Sequence, residues 1–176
     1  IGLLPAVYEK CIEYGIKPKV VDMRQPLPKV NGVVTKIGEY KLRPEQEKAV
    51  KAVINNKVGK VPFQIGVLDY TVNAGKTLIM SSLYLSYKKQ LKTLLITNDS
   101  DWLNQARDEF KKYLPGEQIT FVQGKVLNWS NFTIGMVQSI SRNMRFYQKE
   151  LSQIDMVLVD EADQGGSKQY QNVITR

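Results

Sequence analysis

Thr71-Val72-Asn73-Ala74-Gly75-Lys76-Thr77-Leu78 is the stretch that decides the fold, because it divides two different hydrophobic patterns. Before it runs Phe63-Gln64-Ile65-Gly66-Val67-Leu68, apolar enough to predict a buried strand over 63–68. After it, Met80, Leu83, Tyr84 and Tyr87 recur at helical spacing and predict a helix over 76–89. A loop of small residues that opens a helix offers backbone N–H groups to an anion, and the helix N-terminus adds partial positive charge. Gly75 lets the backbone come close, Lys76 brings a cation, and the Thr77 hydroxyl suits a divalent metal. Those are the needs of a nucleoside triphosphate. The full phosphate-loop pattern has a small residue where this chain has Tyr70, and often a glycine where it has Asn73. Asparagine tolerates positive φ better than other non-glycine residues.

A second stretch, Ile154-Asp155-Met156-Val157-Leu158-Val159-Asp160-Glu161-Ala162-Asp163, predicts a strand over 154–159 that ends in carboxylates. In an open parallel sheet, ligands bind beyond the carboxyl ends of the strands. Asp160 is then placed to hold magnesium through water, and Glu161 to polarise the water that attacks a γ-phosphate. Read singly, the first stretch could simply open a surface helix, and the second could be a strand ending in solvent. Their occurrence in this order on one chain favours an ATP and magnesium site. Lys76, Asp160 and Glu161 are the candidate catalytic residues, and Thr77 and Asp160 the candidate metal ligands. The backbone cradle runs through Val72, Asn73, Ala74, Gly75, Lys76, Thr77 and Leu78.

The remainder alternates. Further strands are expected over 93–97, 119–122 and 133–137, and helices over 44–55, 100–114 and 138–150. Such alternation predicts an α/β fold with a parallel sheet covered by helices. Asp99 or Ser100 can cap the helix over 100–114, which has Leu103, Ala106, Phe110 and Tyr113 on one face. Ile140, Met144 and Tyr147 mark the buried face of 138–150. Pro44 suits the start of the helix over 44–55, where Leu42, Gln46, Ala49, Val50 and Val53 share a face. An amide on that apolar stripe needs partners, either a backbone segment or the edge of an adenine.

Residues 1–38 read as a small separate module: a helix over 5–14 closed by Gly15, then short strands over 19–23 and 33–37 around Pro26 and Pro28. Cys11 lies four residues after Val7 on that helix and reads as a core position. As the lone cysteine it permits no internal disulfide and suits a reducing compartment. The absence of histidine excludes His-based acid–base catalysis and His-containing zinc sites. A net charge of +8 over 176 residues favours a polyanionic partner without choosing DNA or RNA. No apolar run approaches the roughly 20 residues of a membrane span. Ile1 stands where an initiator methionine would, so the chain reads as an internal piece.

Asp160-Glu161-Ala162-Asp163 spells the DEAD form of the Walker B motif, and the chain resembles the first RecA-like motor lobe of a superfamily 2 helicase. The closer likeness is to phage UvsW-type DNA helicases, related to DNA translocases and restriction-enzyme motors. Thr71 to Thr77 resembles the Asn-Ala-Gly-Lys-Thr variant of Walker A in those helicases. Leu42-Arg43-Pro44-Glu45-Gln46 resembles a segment that contacts adenine, which would give Arg43 and Gln46 that role, with Tyr40 able to stack on the base or to pack at the surface. Thr93 to Thr97 and Thr133 to Ser139 resemble segments that contact DNA phosphates. By that likeness Thr97, Asn98, Asp99, Gln138 and Ser139 would bind nucleic acid; helix capping needs Asn98, Asp99 and Ser139 equally. Gln164 to Tyr170 looks more like DNA translocases than DEAD-box RNA proteins. The resemblance spans roughly residues 39 to 176. It implies ATP-driven remodelling of single-stranded or branched DNA in the cytoplasm of a bacterium or infected host, with a second RecA-like lobe in the full-length protein. The second lobe would supply arginine fingers, so this lobe alone is expected to bind nucleotide and hydrolyse it poorly. The first 38 residues would either engage DNA or shield an edge of the lobe. An RNA helicase, a restriction motor subunit and a non-hydrolysing nucleic-acid-binding module are the alternatives.

Overall fold

The computed structural model describes residues 4–21, 23, 28–64, 66–71, 74–87, 89–124, 128–161 and 168–174. Its centre is a four-stranded, wholly parallel sheet of β5 (Thr93–Thr97), β6 (Ile119–Val122), β7 (Phe132–Met136) and β8 (Met156–Val159), in the spatial order β6-β7-β5-β8. All five residues of β5 are buried, which is why Thr93-Leu94-Leu95-Ile96-Thr97 reads as a continuous apolar run rather than an alternating one. Side chains alternate across the pleat. Leu95, Phe132 and Ile134 meet Tyr84, Leu103 and Phe110 from α3 (Lys76–Ser86) and α4 (Ser100–Tyr113) on one face. Leu94, Ile96 and Val122 meet Ile140 from α5 (Val137–Arg142) and Tyr170 and Val173 from α7 (Lys168–Ile174) on the other. The result is a RecA-like α/β layer structure with helices on both faces.

A third cluster joins α2 (Pro44–Asn55) to α3 through Leu42, Ala49, Val50, Ile79 and Leu83. Two small hairpins flank it: β1 (Lys36–Ile37) with β2 (Tyr40–Lys41), and β3 (Lys57–Val58) with β4 (Val61–Pro62). Each turns through two residues led by glycine, Gly38 at φ +57° and Gly59 at φ +61°, the left-handed conformation that such turns require.

Several expected elements differ. Residues 63, 64 and 66–68 form no strand. Phe63 N–H is held by the Asn56 carbonyl at 2.8 Å, which continues the β3–β4 hairpin instead of releasing the chain into the sheet. Gly66 then weakens any strand through it, and Val67 is left 75% exposed. The helix over 138–150 is broken into α5 and α6 (Gln148–Leu151). Asn143 closes α5 and its side-chain amide donates to Ser139 O at 2.8 Å, the competition with backbone bonding that shortens helices. The helix over 76–89 ends at Ser86.

Toward the N-terminus, α1 (Leu4–Glu13) buries none of its described residues, so Cys11 is half-buried rather than a core position. Residues 19–21 and 23 form no strand, and Met23 is exposed; Asp22 lies outside the described residues. Of 33–37 only Lys36 and Ile37 are a strand. Val34 instead bonds side chains of α3, its N–H donating to Ser86 Oγ at 2.9 Å and its carbonyl accepting from Ser82 Oγ at 2.6 Å. No helix among the described residues is long and apolar enough to cross a membrane.

Candidate functional site

Parallel order puts the carboxyl ends of β5, β7 and β8 on one edge, and the start of α3 reaches the same edge. Gly75 precedes α3 with φ +76°, and a Cβ there would lie 2.5 Å from Gln46 Nε2. Both facts demand glycine. Gly75 O accepts from the N–H groups of Leu78 and Ile79, so the helix is wound from its first residues. Thr77 is buried in the first turn, and Ser81 Oγ donates to its carbonyl.

Two side chains from α2 and its entrance hold the loop, and one from the loop reaches back to α2. Gln46 is 2% exposed; its Nε2 donates to Ala74 O at 2.8 Å, and its Oε1 accepts from Arg43 N–H at 2.9 Å. Arg43 adds a guanidinium bond to Ala74 O at 2.7 Å while pairing with Glu45 at 3.0 Å. Tyr70, which departs from the phosphate-loop pattern, donates its hydroxyl to Glu45 O at 2.7 Å. Sequence reasoning marked Tyr70 only as a misfit; here it ties the entry of the loop to the helix that ties its exit. Tyr40 packs edge-on against Tyr113, with the Lys112 ammonium 5.6 Å from its ring. Val72 and Asn73 lie outside the described residues, as do Ala162 and Asp163.

At the end of β8, Asp160 N–H donates to Ile96 O at 3.0 Å, which extends the β5–β8 pairing by one step and sets the carboxylate at the sheet edge. Asp160 is 4% exposed. Its Oδ1 accepts no hydrogen bond among the described residues, and its nearest cation is Lys76 Nζ at 3.5 Å. An ionised oxygen buried without a donor is costly. It is also an oxygen open to a divalent cation, and the buried Thr77 follows the lysine that meets it, so the donor types of Asp160 and Thr77 fit magnesium. Glu161 follows with φ +54°, a conformation that costs a non-glycine residue roughly 1 kcal/mol.

The nucleic-acid candidates occupy the same edge. Asp99 Oδ1 accepts from the N–H groups of Asp101 and Trp102 and so caps α4. Thr97 is buried, and its hydroxyl accepts from Asp99 N–H. Gln138 Nε2 reaches Asn98 O at 3.5 Å, joining the ends of β7 and β5, while Gln138 Oε1 is buried without a hydrogen bond among the described residues. Ser139 caps nothing; it lies inside α5 and accepts from Gly124 N–H at 3.0 Å.

Residues 39–176 match the family described as "Type III restriction enzyme, res subunit" (ResIII). A protein of Acanthamoeba polyphaga mimivirus, named "Putative ATP-dependent RNA helicase", is 25% identical over 133 residues, which are 75% of this chain and 24% of that protein. The chain thus spans about a quarter of the length of that relative.

Proposed function

The chain belongs to the ResIII family, and from that premise we propose that residues 39–176 are the ATP-binding lobe of a superfamily 2 helicase or translocase that acts on DNA, of the UvsW type. The observation that carries the reading is the meeting of Lys76 with Asp160 at 3.5 Å, with the aspartate buried and one oxygen lacking a donor. Two segments far apart in sequence bring a cation and an anion to one sheet edge.

Each side chain then has a task. Lys76 would exchange the Asp160 carboxylate for phosphate oxygens, and the N–H groups at the start of α3 would cradle the same phosphates. Thr77 and Asp160 would hold magnesium, which when bound neutralises developing charge on the phosphoryl oxygens. Glu161, turned by its left-handed backbone, would accept a proton from the attacking water. Gln46 and Arg43 would keep the loop in shape by holding Ala74 O, with adenine recognition left to whatever donors nucleotide binding frees. Thr97, Asn98, Asp99, Gln138 and Ser139 would line the path of the nucleic acid, and a second RecA-like lobe would complete the site. An arginine finger from such a lobe is worth about 10³ to 10⁵ in rate in comparable systems. Residues 1–38 would form a module that packs on this lobe, a role supported by the bonds of Val34 to Ser82 and Ser86. The lone cysteine suits the reducing cytoplasm of a bacterium or infected host.

DNA is favoured by the run from Gln164 to Tyr170, which resembles that of DNA translocases. The name of the mimivirus relative favours RNA as the second reading. In the full-length protein, Glu161→Gln should leave ATP affinity intact and lower turnover by at least about 10². Duplex or branched DNA should stimulate wild-type turnover more than RNA does. Full turnover by Glu161→Gln would remove Glu161 from the mechanism, and stimulation by RNA alone would replace the DNA reading.

A further inference from the structure

Beyond the nucleotide edge, four exposed side chains follow one another at helical spacing: Arg142, Arg145, Phe146 and Lys149. The break between α5 and α6 does not change which side of the segment is buried. Across it Phe146 N–H donates to Asn143 O at 2.9 Å and Tyr147 N–H to Met144 O at 3.1 Å, the bonds of two consecutive turns. The exposed residues 142, 145, 146 and 149 stand at i, i+3, i+4 and i+7, the spacing of one helical face. The opposite side is the packed one, with Ile140 and Tyr147 buried and Met144 and Leu151 half-buried in the cluster on that face of the sheet.

A solvent face made by helical winding is ordinarily polar, and three of these residues obey that rule. Phe146 does not, and it is 81% exposed. One exposed apolar side chain alone needs no explanation. An aromatic ring set among three cations is a different object, because the combination matches stacked bases joined by phosphates. Among the described residues Arg142, Arg145 and Lys149 form no ion pair, whereas Lys51 and Lys89 are paired with Glu47 and Glu117. Glu150, the acid on the same segment, is half-buried and faces Tyr147, where it helps to push the phenol pKa up after burial has done most of that. One turn back along α5 from Arg142 is Gln138, at the end of β7.

We propose that Arg142, Arg145, Phe146 and Lys149 form a binding platform for single-stranded nucleic acid, with the Phe146 ring stacked on a base and the three cations against the flanking phosphates. The platform continues the path that leaves the sheet edge at Gln138, and it rests on the nucleic-acid reading given above. Stacking tolerates any base, so the platform grips without reading sequence.

The test is fluorescence anisotropy of the whole chain with three labelled strands: oligothymidylate, oligouridylate and an abasic strand of equal phosphate number. Phe146→Ala should weaken the base-bearing strands about tenfold and leave the abasic strand unchanged, and Phe146→Tyr should restore the loss. Arg145→Ala and Lys149→Ala should weaken all three strands and each lower the salt slope by about 1. An equal loss on base-bearing and abasic strands, or no loss on either, overturns the platform while leaving nucleic-acid binding in place. Displacement by polyglutamate as effective as by oligothymidylate would overturn it in favour of an acidic protein partner. A wild-type chain that binds no strand would overturn both this platform and the nucleic-acid reading of the lobe.

Discussion

Met156–Val159 and residues 63–68 lead into the two halves of the site, and they are held by different means. The first is clamped before it begins: Lys92 O accepts from the N–H groups of Asp155 and Met156, and Asp155 Oδ2 accepts from Lys92 N–H at 2.9 Å. That exchange sets the register of β8 against β5, and the pairing runs on to Asp160. The second run has a hairpin upstream, a glycine within and, among the described residues, no strand beside it, although the outer edge of β8 carries a partly exposed Val157. Its loop is held instead by the side chains of Gln46 on α2 and Arg43 before it, and by the Glu45 carbonyl that accepts from Tyr70. An apolar run becomes a strand when something fixes its register; apolarity alone does not suffice. The acidic half of the site is therefore built into the core, and the phosphate-loop half is fastened to it.

The sharpest way to break this comparison is to truncate one residue in each region. Leu95→Ala, in the strand between β7 and β8, should cost about 3 kcal/mol in denaturant unfolding. Val67→Ala should change stability by no more than about 0.5 kcal/mol. A loss at Val67 as large as that at Leu95 would mean that residues 63–68 are packed in solution.

A smaller effect tests the fastening. Tyr84 on α3 is fully buried and donates to Glu117 Oε2 at 3.1 Å; Glu117 also pairs with Lys89. Burial first, then the Glu117 charge and the hydrogen bond, push the Tyr84 phenol far above its usual value. Burial also raises Tyr87, Tyr113 and Tyr147. A raised folded-state pKa gives stability that is whole below the unfolded value, near 10, and falls as pH rises beyond it. A tyrosine whose folded-state value lies well above the unfolded one, as for Tyr84, steepens the alkaline limb by at most about 1.4 kcal/mol per pH unit between the two values. Tyr84→Phe should remove one share of that slope between about pH 10 and 12, measured by urea unfolding at each pH; an unchanged slope would place the Tyr84 hydroxyl in water. The smallest effect is a gain. Glu161→Gly should stabilise the chain by about 1 kcal/mol by relieving the positive φ, and a loss of stability would mean that the Glu161 side chain contributes more than its backbone costs.

The parts that sequence reasoning located well are those whose signals were local and consistent. Residues 44–55 begin at a proline and end where the apolar stripe ends, and α2 has those bounds. Residues 93–97 and 119–122 are strands as expected, and Asp99 supplies the cap that its place before α4 suggested. What escaped depended on contacts beyond the window. The break at Asn143 comes from a side chain competing for one carbonyl, while Ile140, Met144 and Tyr147 still face inward as one stripe. The β1–β2 and β3–β4 hairpins are two residues per strand, too short for alternation to register, although Gly38 and Gly59 marked their turns. Asp160 follows β8 and Lys76 opens α3, the places that the sequence pattern gave them, and the two are 3.5 Å apart. The Gln46–Ala74 and Tyr70–Glu45 bonds required the fold, since nothing in the spacing says which carbonyl a buried amide or phenol will find.

The central claim is that the fastened loop and the core carboxylate make one nucleotide site. Its most direct test is calorimetric titration of the chain with magnesium-ATP, beside Lys76→Ala. The account predicts measurable binding that the substitution abolishes. Equal affinity in the two proteins would contradict it, because nucleotide would then be held without the cation that faces Asp160.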